Sequence, residues 1–462
     1  MTECNADEFV FEGPGRRDVV ARFDGGDISS DGGAIVLRET EAKTGILKRF
    51  ARCFTDHRRA DRVEHTIEEL VTQRVFGLCL GWEDLNDHDE LRRDPLLGTL
   101  VGKSEPKEML LASSSTLNRL ELGGDQIQTG ERYKKISLNF DAVDQLLVQA
   151  FLEAYETPPE EIVLDLDATD DPIHGRQEGR FFHGYYDCYC FLPLYIFCGE
   201  HLLCARLRRS NIDGSKGALE EVQRIVAQIR ESWPEVRIVL RADSGFCREP
   251  LMSWCEAEEG VEYVLGIARN ERLVAMVEDA LGMAQMEHAG TGEPARVYRE
   301  LTYRTLDSWS RSRRVVAKAE HSSKGDNPRF VVTSLLTDEI EAKQLYEKRY
   351  CARGDMENRI KEQQHYLFAD RTSSHWMRAN QIRLYFSSIA YVLMQALRQI
   401  GLEGTELAKA QCQTIRLKLL KIGAQVKVTV RKVWIRLSES YPYADVFANV
   451  WHKLRSVKPR HG

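Results

Sequence analysis

Two apolar runs in this chain each end on an aspartate: Ile162-Val163-Leu164-Asp165-Leu166-Asp167 and Val236-Arg237-Ile238-Val239-Leu240-Arg241-Ala242-Asp243. Both read as β-strands, and a third acid, Glu357, lies in the helical stretch Tyr350-Cys351-Ala352-Arg353-Gly354-Asp355-Met356-Glu357. If the strands lie side by side and the helix crosses their ends, three carboxylates converge. Such a set of oxygen ligands is what Mg²⁺ or Mn²⁺ requires, and it points to phosphodiester chemistry.

The pattern between 156 and 269 has a definite order. Strands are expected at 161–167, 189–198 and 201–208, the last two joined at Gly199-Glu200. A helix follows, with Leu219, Val222, Ile225, Val226, Ile229 and Trp233 at helical spacing, then a strand at 236–240, a helix at 250–259 and a strand at 261–268. The order βββαβαβ is the ribonuclease-H-like succession. In that topology the first and fourth strands are parallel neighbours at the sheet centre, and side chains leaving their C-terminal ends meet where open α/β sheets place their sites. The expected fold class is therefore α/β, a ribonuclease-H-like mixed sheet flanked by helices. Pro193 falls inside the expected second strand, where it removes a ladder donor, and a bulge is the simplest repair.

Around this core the chain divides by pattern. Residues 1–155 read as a mostly helical N-terminal DNA-binding region, with positions 67, 70, 71, 75 and 78 forming one apolar helix face. Residues 156–269 are the first part of the catalytic core, 270–336 a β-rich insertion, 337–400 the second part of the core with the glutamate helix, and 401–462 a basic helical C-terminal region. Within the first region Ser113-Ser114-Ser115-Thr116 can cap a short helix that presents Asn118 and Arg119 outward, either to read DNA or as a plain surface helix.

The net charge of −7 argues against a nucleic-acid partner only until its distribution is considered. Residues 358–462 carry 18 Lys/Arg against 6 Asp/Glu, a net +12 that leaves −19 on the rest. Phosphate contacts are then concentrated instead of uniform. The N-terminal stretch Met1–Glu8 is acidic, and no apolar run approaches the roughly 20 residues that span a bilayer, so export and membrane insertion are not expected and a cytoplasmic location is. Eleven cysteines, an odd number, read as reduced thiols. Cys188 and Cys190 with His183 allow a zinc site to be imagined, but no second ligand pair stands at the usual spacing.

Asp167-Ala168-Thr169, the run Arg241-Ala242-Asp243-Ser244-Gly245-Phe246, and Tyr350-x2-Arg353-x3-Glu357 together resemble the DDE transposases of bacterial insertion sequences. More narrowly, Leu164-Asp165-Leu166-Asp167-Ala168-Thr169-Asp170-Asp171-Pro172 followed by His174-Gly175 and Gln177 looks like insertion sequence family 1380. The resemblance covers the chain from about residue 10 to the last long helix. Related transposases carry a lysine seven residues after the glutamate. Here that position is Gln364, and Lys361 is the nearest substitute.

The resemblance implies that Asp167, Asp243 and Glu357 are the catalytic metal ligands for two Mg²⁺ ions, with Mn²⁺ able to substitute. It also implies that Tyr350, Arg353 and Lys361 contact double-stranded DNA at the transposon ends, with core packing the alternative for Tyr350, and that a homodimer forms on that DNA. Asp165 lies two residues before Asp167 on the same strand face and could be the ligand instead. Trp309, in an expected hairpin loop with arginines nearby, is either a base-stacking residue or merely exposed. The implied activity is cleavage of the terminal inverted repeats and joining to target DNA. A nuclease or resolvase without strand transfer, or a domesticated DNA-binding protein, remains the alternative.

Overall fold

The computed structural model describes residues 8–13, 15–103, 110–123 and 135–460, so Met1 to Asp7 of the acidic N-terminal stretch lie outside the described residues. The chain forms two compact units. One holds Arg52–His57 and Glu121–Gln395, and the other holds Met1–Ala51, Arg58–Leu120 and Ala396–Gly462.

The larger unit is built on a nine-stranded sheet. Its strands are β1 (Glu161–Ala168), β2 (Leu194–Cys198), β3 (His201–Arg206), β4 (Arg237–Ala242), β5 (Val261–Ile267), β6 (Ala295–Tyr303), β7 (Arg313–Ser322) and β8 (Arg329–Thr333), with Gly325–Asp326 paired to β7. The spatial order is β3-β2-β1-β4-β5-β8-β7-β6. Its first five places are those of the ribonuclease-H-like sheet: β1 runs parallel to β4, and β4 parallel to β5. The insertion expected at 270–336 supplies β6, β7 and β8, which continue the same sheet antiparallel beyond β5. It also contains a helix, Glu278–Thr291, capped by Gly292 at φ 75°.

Period-two alternation sorts the side chains of the central strands. Leu164 and Leu166 of β1 and Ile238, Leu240 and Ala242 of β4 enter a core with helices α1 (Ala218–Ser232) and α2 (Glu249–Ala257). Val163 and Val239 point to the opposite face, where Leu345, Tyr346 and Tyr350 pack. Asp165, Asp167, Arg241 and Asp243 follow the same alternation onto that second face. The acids thus emerge on the side covered by the segment leading to Glu357.

Pro193 does not sit in a bulge. The expected strand 189–198 is two strands in two sheets: Cys188–Phe191 pairs with Phe181–His183 and Asp171–Pro172, while β2 starts at Leu194. Pro193 occupies the break between them, where its missing donor costs no ladder bond.

In the smaller unit the helix Ile67–Leu80 forms as its periodicity predicts, and Thr66 and Glu69 close a reciprocal capping box at its start. The C-terminal region is not wholly helical as expected. Ala424–Val428 and Val433–Leu437 form an antiparallel hairpin that also pairs with Ile28–Ser29. The run Gln425-Val426-Lys427-Val428-Thr429-Val430 alternates polar and apolar residues, and its β-branched content favours a strand. No described helix is long and apolar enough to cross a membrane.

Candidate active site

Ala242 is the register partner of Leu166, so Asp167 and Asp243, each one residue further, leave adjacent parallel strands side by side. Asp167 is the penultimate residue of β1, and its Oδ1 accepts a hydrogen bond from the Ala168 amide at 3.0 Å. Asp243 starts the tight turn Ser244–Phe246, with its Oδ1 accepting from the Gly245 amide at 2.8 Å. Each loop bond orients a carboxylate through one oxygen only.

Glu357 arrives on helix α3 (Gly354–Leu367). The chain enters that helix through a π-helical turn, Leu345–Tyr350, and a 3₁₀ turn, Cys351–Arg353. Irregular winding of this kind re-aims side chains that a straight helix would place elsewhere. Three contacts hold α3 in position. Gln363 Nε2 donates to Ser388 Oγ at 3.0 Å, Arg359 pairs with Glu200 at the β2–β3 turn, and Gln364 Nε2 donates to the Asp170 carbonyl at 3.1 Å. Gln364 therefore ties the helix to the loop that follows Asp167, while Lys361 is exposed on the helix surface.

Arg353 binds the group together. Its Nη2 donates to Glu357 Oε1 at 2.9 Å and its Nη1 lies 4.0 Å from Asp167 Oδ1. Burial raises the Asp167 pKa to about 6, opposed by Arg353 and reinforced by Asp243 and Glu357. Burial alone would lower the Arg353 pKa, but Asp167, Tyr350, Glu357 and Asp243 raise it. These mutual influences bring the three acids named from the sequence into one electrostatic group. Tyr350 packs beneath it: a Cβ on Gly266 of β5 would lie 2.5 Å from the Tyr350 hydroxyl, so only glycine leaves that room.

Asp165 has a different employment. It is 3% exposed and pairs bidentately with its register partner Arg241, Nε to Oδ1 at 2.5 Å and Nη2 to Oδ2 at 2.7 Å. Arg241 Nη1 also donates to the Arg349 carbonyl at 2.6 Å. The pair thus clamps the two central strands to the segment that carries Tyr350 and Arg353. The signal for this role of Arg241 lies in the sequence: a charged residue interior to a buried strand needs a partner, and Asp165 is the nearest candidate.

The remaining expected residues have settings of their own. Asn118 and Arg119 sit on the helix Ser114–Glu121, half-buried and exposed respectively. At the start of that helix Asp89 accepts from the Ser114 amide at 2.9 Å and its hydroxyl at 2.7 Å. Trp309 is not an exposed loop residue. It is 4% exposed, edge-on to Tyr303 with ring centroids 5.7 Å apart, and Arg313 lies over its face at 5.3 Å. In that position no base can stack on it. The cysteines among the described residues are free, and burial pushes the Cys190 thiol up to about 12.

Among the described residues no group of three His, Cys, Asp or Glu stands at metal-ligating spacing, and Arg353 lies within reach of both Asp167 and Glu357. The donor chemistry of Asp167, Asp243 and Glu357 nevertheless suits a hard divalent cation: three carboxylates, two of them anchored through a single oxygen.

A sheet in the order 3-2-1-4-5 with acids gathered at the ends of its central parallel strands defines a ribonuclease-H-like α/β protein. Residues 11–459 match the model of the family described as transposase DDE domain group 1. The chain belongs to that transposase family. No curated protein matches it. Among solved structures it is similar to the piggyBac transposase in its synaptic complex with hairpin DNA, at 11% identity and a TM-score of 0.42 over 85% of this chain and 80% of that one.

Proposed function

We propose that this chain is the transposase of a mobile element, binding double-stranded DNA at the element's terminal inverted repeats, cleaving the ends and joining them to target DNA. The observation that carries this reading is the electrostatic grouping of Asp167, Asp243 and Glu357 at the ends of β1 and β4. Asp167, Asp243 and Glu357 are the residues that would hold two Mg²⁺ ions, with Mn²⁺ able to replace them. When bound, the cations activate the attacking oxygen and stabilise the leaving one in an in-line displacement.

The chain's own residues do the rest. Arg353, held by the acids in the free protein, is placed to grip a phosphate that enters between them, and Lys361, one turn on along α3, offers a second cation to the backbone. Tyr350, whose hydroxyl packs against Gly266, is a further candidate contact to the DNA end. In strand transfer a 3′-hydroxyl attacks the target phosphorus, a new P–O bond forms, and the target strand's own 3′ oxygen leaves, so no high-energy cofactor is consumed. Cutting two ends together calls for a homodimer on DNA. Asn118 and Arg119, on a separate helix, are candidates for reading the duplex.

The test is incubation of the full chain with a duplex carrying its terminal repeat, a target plasmid and Mg²⁺. Joined products support a transposase. Cut ends that never join favour a nuclease, and silence with both Mg²⁺ and Mn²⁺ favours a DNA-binding protein without turnover.

A further inference from the structure

Two imidazoles meet in the β-rich insertion. His288 lies on the helix Glu278–Thr291 and His321 near the end of β7, with ring centroids 5.1 Å apart and planes inclined at 62°.

Each ring is held through its Nδ1. His288 Nδ1 lies 2.7 Å from the Glu293 carbonyl oxygen, and because a carbonyl only accepts, that nitrogen carries the proton. His321 Nδ1 donates to Asp326 Oδ1 at 2.6 Å, and Asp326 is its register partner across the turn Ser323-Lys324. The bonds from His321 and Gln285 hold the Asp326 carboxyl below its ordinary value, so it is ionised and accepts. Gln285 Nε2 donates to both Asp326 oxygens, at 3.1 and 3.0 Å, and stands one turn before His288 on the same helix. Helix, carboxylate and the two rings therefore form a closed circuit.

A neutral imidazole whose proton sits on Nδ1 has its lone pair on Nε2. Neither His288 nor His321 has a hydrogen-bond partner at Nε2 among the described residues, so two lone pairs are left unused. Metal-ligating histidines are built this way, with the other ring nitrogen fixed by a carboxylate or a backbone carbonyl. The separation agrees as well: two imidazoles sharing a tetrahedral ion through bonds of about 2.0 Å place their ring centroids roughly 5 Å apart. An ion can also reach them. The His321 side chain is 24% exposed, and Gln285 and Asp326 line an open cavity of about 1000 Å³.

We propose that His288 and His321 form a binding site for a borderline divalent cation of the Zn²⁺ class, held by the two Nε2 atoms with water completing its shell. The ion would tie the helix Glu278–Thr291 to the turn after β7. Imidazole nitrogens suit Zn²⁺, Ni²⁺ or Cu²⁺, whereas the carboxylates of Asp167, Asp243 and Glu357 suit Mg²⁺, so the two places select different ions. This site goes beyond the proposed DNA reaction and does not depend on it.

The experiment titrates Zn²⁺ calorimetrically into the full chain in excess Mg²⁺ and without DNA. Binding of one Zn²⁺ per chain is expected. His288→Ala and His321→Ala should each abolish it while leaving the melting temperature in EDTA unchanged, and Asp326→Asn should weaken it about 10- to 100-fold. Should an alanine variant unfold, His288→Gln and His321→Gln repeat the test with a hydrogen-bonding side chain in place. Cu²⁺ gives a second readout: nitrogen hyperfine splitting from two imidazoles in the electron paramagnetic resonance spectrum of the parent, lost from either variant. No binding by the parent, or binding that survives both histidine changes, overturns the site and leaves an edge-on ring contact only.

Discussion

The Arg353 guanidinium stands between the two carboxylates it serves, 2.9 Å from Glu357 and 4.0 Å from Asp167. A fixed cation in that place competes with any metal ion for the same oxygens. Arg353→Ala is expected to tighten Mn²⁺ binding to the DNA-free protein by about three- to tenfold, as removal of one close opposite charge implies. The same change should weaken binding to DNA ends. Isothermal titration with Mn²⁺ and with end duplex reads both, and weaker Mn²⁺ binding would contradict the competition.

Asp165 and Asp167 make opposite predictions. Breaking the buried Asp165–Arg241 pair leaves an uncompensated charge, so Asp165→Ala should cost about 3–5 kcal/mol of stability in denaturant unfolding. Asp167→Asn should leave the fold intact and abolish cleavage.

The Asp167 carboxyl also sets a pH dependence. Its pKa is raised by burial to about 6 from 3.8, so the folded state holds the proton more tightly than the unfolded chain. The sign follows from linkage: its relative stabilisation is complete below about pH 3.8 and is lost as pH rises through about 6. Asp167→Asn should therefore raise the melting temperature of the metal-free protein at pH 8 and have little effect near pH 4. Protons and cations compete for the same carboxylate, so Mn²⁺ affinity should fall as pH drops through about 6.

Gly266→Ala would bring a methyl group to 2.5 Å from the Tyr350 hydroxyl and 3.0 Å from the Ser244 amide nitrogen. Overpacking of this sort costs about 1–3 kcal/mol, and here it pushes on Tyr350 and on the turn after Asp243 together. Cleavage is expected to fall more than stability does, measured by end cutting alongside thermal unfolding. Unchanged cutting would show that neither position matters to the reaction.

Trp309→Ala should act on folding instead. Loss of a ring only 4% exposed is expected to cost about 3–5 kcal/mol, with DNA affinity per folded molecule unchanged.

What the sequence revealed and what it hid divide along physical lines. Apolar runs closed by aspartates made β1, β4 and their acids readable, because burial on both faces leaves a near-continuous apolar signature. Helical spacing likewise placed Arg353 and Glu357 within one turn of each other. Long-range pairing left no such mark. Nothing local to Arg313 or Arg329 says that the insertion strands join the main sheet, and nothing local to Trp309 says that Tyr303 and Arg313 enclose it. Pro193 was visible as a conflict, but its resolution, a strand divided between two sheets, depends on partners far along the chain. The tie of Tyr186 to Ala168 leaves no local mark, because it bridges residues 18 apart in the chain.

The most direct test is anomalous diffraction from crystals of the full chain grown with a DNA end and Mn²⁺. Mn²⁺ ligated by Asp167, Asp243 and Glu357 is expected, with Arg353 displaced onto a phosphate and Asp165 still paired with Arg241. Mn²⁺ bound through Asp165, or absent from all three acids while DNA occupies the site, would contradict it.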